Sequence, residues 1–329
     1  MNAVLILIGS AIVLVLASIK MAEYSDVIAI RTGLGRMFIG AILLSGATSL
    51  PEFLTTISAI RQNVIDISAG NMFGSSMFNM FMLAILDMLF HQKRVLRQTA
   101  MRHALTGILS VMLTALATFF ILAQIDAQAG WIGVDSLILI FMYGVGVYLI
   151  QQNNQRHESH ISEDIDESIL KLKPALYRFG ITAGIVVLVT PLMVSSSSEI
   201  AEMTGISQGF IGTLLVAFIT SLPEVATSIA AVRLGAPDLA IGNLFGSNMF
   251  NMFALGMADV FYLPGRFLGA ISPGFVLAAL IAMIITLFGL IGNVARIERK
   301  FLFIEIDASI IAIVYIVGMW FLYSRGIGN

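Results

Sequence analysis

The stretch LLSGATSLPEFLTTISAIR, residues 43–61, carries Pro51 and Glu52 side by side in an otherwise apolar segment. On a helix, Thr48, Ser49, Thr55 and Thr56 fall three or four residues from Glu52 and share the face of its carboxylate. Proline has no N–H to donate and clashes with the carbonyl four residues back, so Pro51 is expected to free the carbonyl of Ala47. A freed carbonyl, several hydroxyls and a carboxylate make a cluster of hard oxygens. Ca²⁺ prefers such ligands and takes about six to eight of them at about 2.3–2.6 Å. A second motif, GNMFGSSMFN at 70–79, adds Ser75 and Asn79, which share one face of the next helix.

Both motifs occur twice. Moved by 172 residues, TSLPE at 48–52 falls on TSLPE at 220–224, and GNMFGSSMFNMF at 70–81 falls on GNLFGSNMFNMF at 242–253. From Ile28 to Phe90 the register holds without a gap, with 30 identities in 63 positions. The second copy supplies Thr220, Ser221, Thr227 and Ser228 around Glu224, with Pro223 expected to free the carbonyl of Ile219, and Ser247 and Asn251 on the following helix. An ionisable residue in mid-span marks function by default, and here its whole setting is duplicated.

These motifs must be positioned inside a bilayer. The chain has 329 residues, 58% of them hydrophobic and only 12% Asp, Glu, Lys or Arg, with a mean hydropathy of +0.94. Ten apolar stretches are each long enough to cross about 30 Å of hydrocarbon as a helix: 3–19, 37–60, 66–90, 102–123, 131–150, 176–195, 209–232, 238–262, 267–291 and 305–323. The alternation that transmembrane β-strands require is missing. The fold class expected is therefore an all-α polytopic membrane protein, with ten transmembrane helices arranged as two five-helix repeats. Five is odd, so the second repeat enters the membrane with opposite polarity, an arrangement common in secondary transporters. Residues 1–150 make the first repeat, 151–174 a polar cytoplasmic linker and 175–329 the inverted second repeat, with the paired motifs at 45–81 and 217–253. Ten spans put 15 of the 18 basic residues on one face, with only Arg61, Arg266 and Arg325 on the other. This bias makes the first face cytoplasmic and leaves both termini outside the plasma (inner) membrane.

Other features have plainer roles. Gly70, Gly74, Gly242 and Gly246 either weaken spans three and eight or let neighbouring backbones approach closely. Arg61 with Asp66, repeated as Arg233 with Asp238, suits ion pairs or caps at helix ends. Asp87 and Asp259 lie near the ends of their spans, where capping or vestibule lining is expected. All four histidines fall at span ends or in loops, which argues against a buried transition-metal site. The acidic run SEDIDE at 162–167 lacks the glycine turn and oxygen spacing of an EF-hand loop. There is no Gly-x-Ser-x-Gly elbow, no mid-membrane histidine base and no histidine cluster to hold zinc, so hydrolase chemistry is not expected. A channel closes its ring of acids by rotational oligomerisation, which an inverted repeat within one chain does not need.

Taken together, GATSLPEFLTTISA with GNMFGSSMFN, duplicated as ITSLPEVATSIAA with GNLFGSNMFN, closely resembles the two α-repeats of the sodium/calcium exchanger branch of the cation/calcium antiporters. The resemblance implies a monomeric exchanger with four central ion sites built from spans two, three, seven and eight. Glu52 and Glu224 would hold Ca²⁺ with the backbone carbonyls of Thr48 and Thr220. Sodium would use Ser49, Ser75, Ser221 and Ser247 as well, with Asn79 and Asn251 near the middle. Spans one and six would slide across this core. Some relatives, among them the potassium-dependent exchangers, carry aspartate where Asn251 stands. Asparagine there points away from potassium co-transport and leaves one charge fewer for a third sodium ion.

Two carboxylates neutralise one Ca²⁺ or two Na⁺, so the loads compete for the same oxygens. A half-loaded site leaves buried charge and resists crossing. The expected activity is electrogenic, potassium-independent Na⁺/Ca²⁺ antiport, with Ca²⁺ and Na⁺ as substrates and the lipid bilayer as surroundings. No cofactor and no nucleic acid are expected. The alternative is a proton/calcium antiporter or an exchanger of another divalent cation.

Overall fold

The computed structural model describes residues 2–90, 95–157, 170–202, 216–295, 300–301 and 304–325. Helix α1 (Asn2–Thr32) runs unbroken well past the end expected at residue 19. The second span is segmented into α2 (Gly35–Phe38), a π-helical turn (Ile39–Leu44), α3 (Ser45–Thr48) and α4 (Leu50–Arg61). Four long helices follow: α5 (Ile65–Leu89), α6 (Val95–Ala123), α7 (Val134–His157) and α8 (Leu172–Glu202). Next come α9 (Ala217–Thr220), α10 (Leu222–Arg233) and α11 (Pro237–Ala258), then the single turn α12 (Phe267–Ala270), α13 (Phe275–Ala295) and α14 (Ile306–Ser324). Two small antiparallel hairpins pair β1 (Gln128–Ala129) with β2 (Ile132–Gly133), and β3 (Lys300–Phe301) with β4 (Ile304–Glu305).

Helices, whole or interrupted, thus occupy the described part of each of the ten apolar stretches. Six are long and apolar enough to cross a membrane on length and composition alone, and Phe275–Ile291 and Ala308–Ser324 are shorter apolar helices. Their outer surfaces carry exposed Leu5, Leu16, Leu188, Ile313 and Trp320, the apolar coat a bilayer requires. Helix α7 reaches His157 and α8 begins at Leu172, so both penetrate the stretch read as a linker. The run 162–167 lies outside the described residues.

The 172-residue register extends from sequence to element. Residues 50 and 61, which bound α4, become 222 and 233, which bound α10. Hairpin β1–β2 falls on β3–β4, and Ala123, the last residue of α6, falls on Ala295, the last of α13.

Helix α11 forms the centre, packed against α5, α6, α7, α10 and the π-helical turn. It is continuous through Gly242 and Gly246, as α5 is through Gly70 and Gly74, so a break at these glycines does not occur. Gly242 and Gly246 serve close approach instead. A Cβ on Gly242 would stand 2.8 Å from the Met37 carbonyl oxygen, one on Gly246 2.2 Å from that of Ala41, and one on Gly40 2.5 Å from that of Leu239. Only glycine lets the π-helical turn and α11 meet backbone to backbone. Helices α1 and α8 lie along each other, and each also touches a segmented helix of the other half: α1 packs on α10, and α8 on α4.

Polar ties join helix ends and the segments between them. Arg36 pairs with Asp26 at 2.5 Å, Arg31 Nε donates to the Leu170 carbonyl at 3.1 Å and Asn154 Nδ2 to that of Leu34 at 2.5 Å. Elsewhere, buried Asp259 accepts the backbone N–H groups of Gly133 (2.5 Å) and Phe267 (2.6 Å), while Arg266 pairs with Asp135 at 2.6 Å. Capping is therefore what Asp259 does.

Candidate functional site

The glutamates sit where two helices restart. In α3 the chain is helical up to Thr48. Ser49 then takes φ −90°, ψ 4°, and α4 begins at Leu50 with Pro51 in its first turn. The second half repeats this at Ser221, with φ −84°, ψ 5° and Pro223 in the first turn of α10. A first-turn proline sacrifices no helical bond, because that N–H has no intrahelical partner in any case. Glu52 and Glu224 follow in the same turn, where the positive end of the helix dipole favours a carboxylate. The adjacency of proline and acid is thus a helix start placed inside a membrane protein. A π-helical turn precedes the break, and Val216, the counterpart of Leu44, is also π-helical.

Each carboxylate is held by the other half. Ser49 donates to Glu224 Oε1 at 2.8 Å, and Ser221 donates to Glu52 Oε1 at 3.1 Å. Ser247 donates to the same Glu224 oxygen at 3.4 Å. Thr48 Oγ1 reaches Asn243 Oδ1 at 3.1 Å, and Thr220 Oγ1 reaches Asn71 Oδ1 at 3.0 Å. Further along α5 and α11, Asn79 Nδ2 donates to Asn248 Oδ1 at 2.9 Å, and Asn251 Nδ2 donates to Ser76 Oγ at 3.3 Å. Every one of these bonds joins residues about half the chain apart, except that from Ser247.

All ten residues named from the sequence are buried: Glu52 and Asn79 are 1% exposed, and Thr48, Ser49, Ser75, Thr220, Ser221, Glu224, Ser247 and Asn251 are 0% exposed. Glu52 Oε2, Glu224 Oε2, Asn79 Oδ1, Asn251 Oδ1 and Ser75 Oγ have no hydrogen-bond partner. Four of these atoms can only accept. Among the described residues neither glutamate forms an ion pair with Lys, Arg or His. Buried acceptors without donors cost free energy unless a cation or water meets them. Two carboxylates, two amide oxygens and a hydroxyl are hard oxygens of the kind an alkali or alkaline-earth ion takes.

Sequence reasoning omitted four buried residues of this arrangement, Asn71, Asn243, Ser76 and Asn248. A signal for the first two was present. Asn71 and Asn243 are identical in the two copies and stand four residues before Ser75 and Ser247, on the face already marked by Ser75 and Asn79. For Ser76 and Asn248, which differ between the copies, no such signal exists.

Segmented helices with acids at their restarts, inside a bundle of apolar helices, define a membrane transport protein. The family model described as sodium/calcium exchanger protein matches residues 2–151 and again 175–324, so the chain belongs to the sodium/calcium exchanger family. It is a transporter of the antiporter class and not an enzyme. Inner membrane protein YrbG of Escherichia coli (strain K12) is 27% identical over 80% of each chain. The sodium/calcium exchanger MaX1 of Methanosarcina acetivorans is 26% identical over 78% of this chain and 83% of its own. The fold is that of the sodium-calcium exchanger NCX_Mj, with a TM-score of 0.70 at 22% identity, covering 97% of this chain and 98% of that one.

Proposed function

We propose that this protein is a Ca²⁺ antiporter that uses Na⁺ as the counter-ion, working by alternating access as a monomer in the inner membrane. The observation that carries the reading is the set of unpartnered acceptor oxygens on Glu52, Glu224, Asn79 and Asn251, buried and without a cationic side chain. The names of MaX1 and NCX_Mj support sodium and calcium as the ions, and that of YrbG supports the inner membrane. Two buried carboxylates repel each other when empty, and one Ca²⁺ or two Na⁺ removes that repulsion. Sodium and calcium therefore displace each other from shared oxygens. Asn79 and Asn251 offer a further sodium neutral oxygens, so three Na⁺ against one Ca²⁺ moves net charge. Helices α1 and α8, each lying on the other half's segmented helix, are the parts whose sliding opens the site to one side at a time.

Purified protein in liposomes tests this. Sodium-loaded vesicles should take up Ca²⁺ when diluted into sodium-free medium, faster when the interior is held positive, because net positive charge leaves with sodium. Imposed K⁺ or H⁺ gradients should drive no uptake. Glu52→Gln and Glu224→Gln each take away one of the two anions that neutralise the bound cation, which costs the ion-bound state about 3–5 kcal/mol. Uptake should fall about a hundredfold or more. Normal transport by both variants, or uptake driven by protons alone, defeats the reading.

A further inference from the structure

Asn71 and Asn243 are fully buried, lie on α5 and α11 at equivalent places in the two copies, and spend both ends of their amides on the segmented helices. Asn71 Oδ1 accepts the hydroxyl of Thr220, in the second half, while its Nδ2 donates to the backbone carbonyl of Glu52, in the first, at 3.1 Å. Asn243 Oδ1 meets the hydroxyl of Thr48, in the first half, while its Nδ2 donates to Thr227 Oγ1, in the second, at 3.0 Å. Each asparagine therefore ties the residue before the break in one segmented helix to the segment after the break in the other. Neither presents an orphaned atom, in contrast to Asn79 and Asn251.

We propose that Asn71 and Asn243 are positioning residues that brace the two segmented helices into one rigid cage, so that the oxygens around Thr48, Glu52, Thr220 and Glu224 hold their spacing as a unit. This rests on the cation-binding reading of that cage. The chemistry suits an amide, because it supplies an acceptor and a donor on one carbon of a short planar group. Aspartate keeps the acceptor and loses the donor; alanine loses both. Ca²⁺ is bound through many oxygens at once, so a cage that loses its spacing should lose calcium affinity before it loses the capacity to turn over.

The test is a double-mutant cycle on the full chain in liposomes, measuring the half-saturating Ca²⁺ concentration and the maximal rate separately. Asn71→Ala and Thr220→Val should each raise the half-saturating concentration about tenfold, with the maximal rate changed less than about threefold. The double variant should be little worse than Asn71→Ala alone, because the alanine has already removed the bond that Thr220→Val removes. The mirrored pair, Asn243→Ala and Thr48→Val, should behave alike and stands in if the first pair does not fold. Calcium's upward shift of the detergent-solubilised protein's melting temperature should shrink in parallel.

Unchanged half-saturation in the single variants, or a double variant showing the full product of the two losses, overturns the brace. So does loss of folded protein in both pairs, which would place these amides in packing alone. The parent reading fails separately, by the wild-type protein showing no sodium-driven calcium uptake in the same vesicles.

Discussion

At the residue scale, Asn79 and Asn251 show how an uncharged side chain is made into a dedicated acceptor. In each the amide nitrogen is engaged by a bond across the halves, to Asn248 Oδ1 and Ser76 Oγ, which leaves the oxygen free and fixes which way the amide faces. Replacing Asn251 by aspartate removes the donor to Ser76 and adds a third buried negative charge beside Glu52 and Glu224. A third carboxylate favours a load carrying one more positive charge. We expect Asn251→Asp to make calcium uptake respond to potassium, measured as the rate with and without K⁺ at constant Na⁺. An ion dependence identical to that of the wild type would remove position 251 from the control of selectivity. The glutamates were legible in the sequence because a carboxylate in an apolar span stands out alone. The cross-half ties were not, because a serine reveals nothing of a partner some 170 positions away.

At the element scale, the segmented helices were foreshadowed by Pro51 and Pro223, although the break falls one step earlier than the proline rule alone suggests. The chain turns at Ser49 and Ser221, and proline takes its favoured place in the new first turn. The glycines were legible only as alternatives, since the same spacing serves a weak helix or a close crossing, and only the neighbouring backbone decides. With the Ala41 carbonyl oxygen 2.2 Å from where a Cβ would be, Gly246→Ala must push α11 away from the π-helical turn. Overpacking of this kind costs about 1–3 kcal/mol. A lowered melting temperature and a smaller yield of folded protein should follow. Gly9→Ala, with nothing within 4 Å of the new methyl group, should change neither.

At the scale of the whole molecule, the offset of 172 governs helices, breaks, hairpins and site bonds alike. The repeat was the most legible part of the fold, since two copies of one sequence must solve the same packing problem. An odd number of spans in each copy would set the two in opposite orientations in the bilayer, and the chain is well suited to a direct check because it contains no cysteine. Gln62 and Leu234 are equivalent, exposed residues just after α4 and α10. Single cysteines at these two places should react with a membrane-impermeant maleimide from opposite sides: Gln62→Cys from outside and Leu234→Cys from the cytoplasm. Labelling of both from one side would contradict an inverted second copy.

The near-twofold layout of the cage also bears on direction. A turnover that exchanges the roles of the two halves presents the same constellation to either compartment wherever the copies agree. Among the buried polar residues in and against the cage, the copies part at Ser76 against Asn248, Thr56 against Ser228, Ser68 against Ala240 and Ser45 against Ala217. Any intrinsic rectification, a readiness to run more easily one way than the other, that originates in the cage itself has its source in such mismatches.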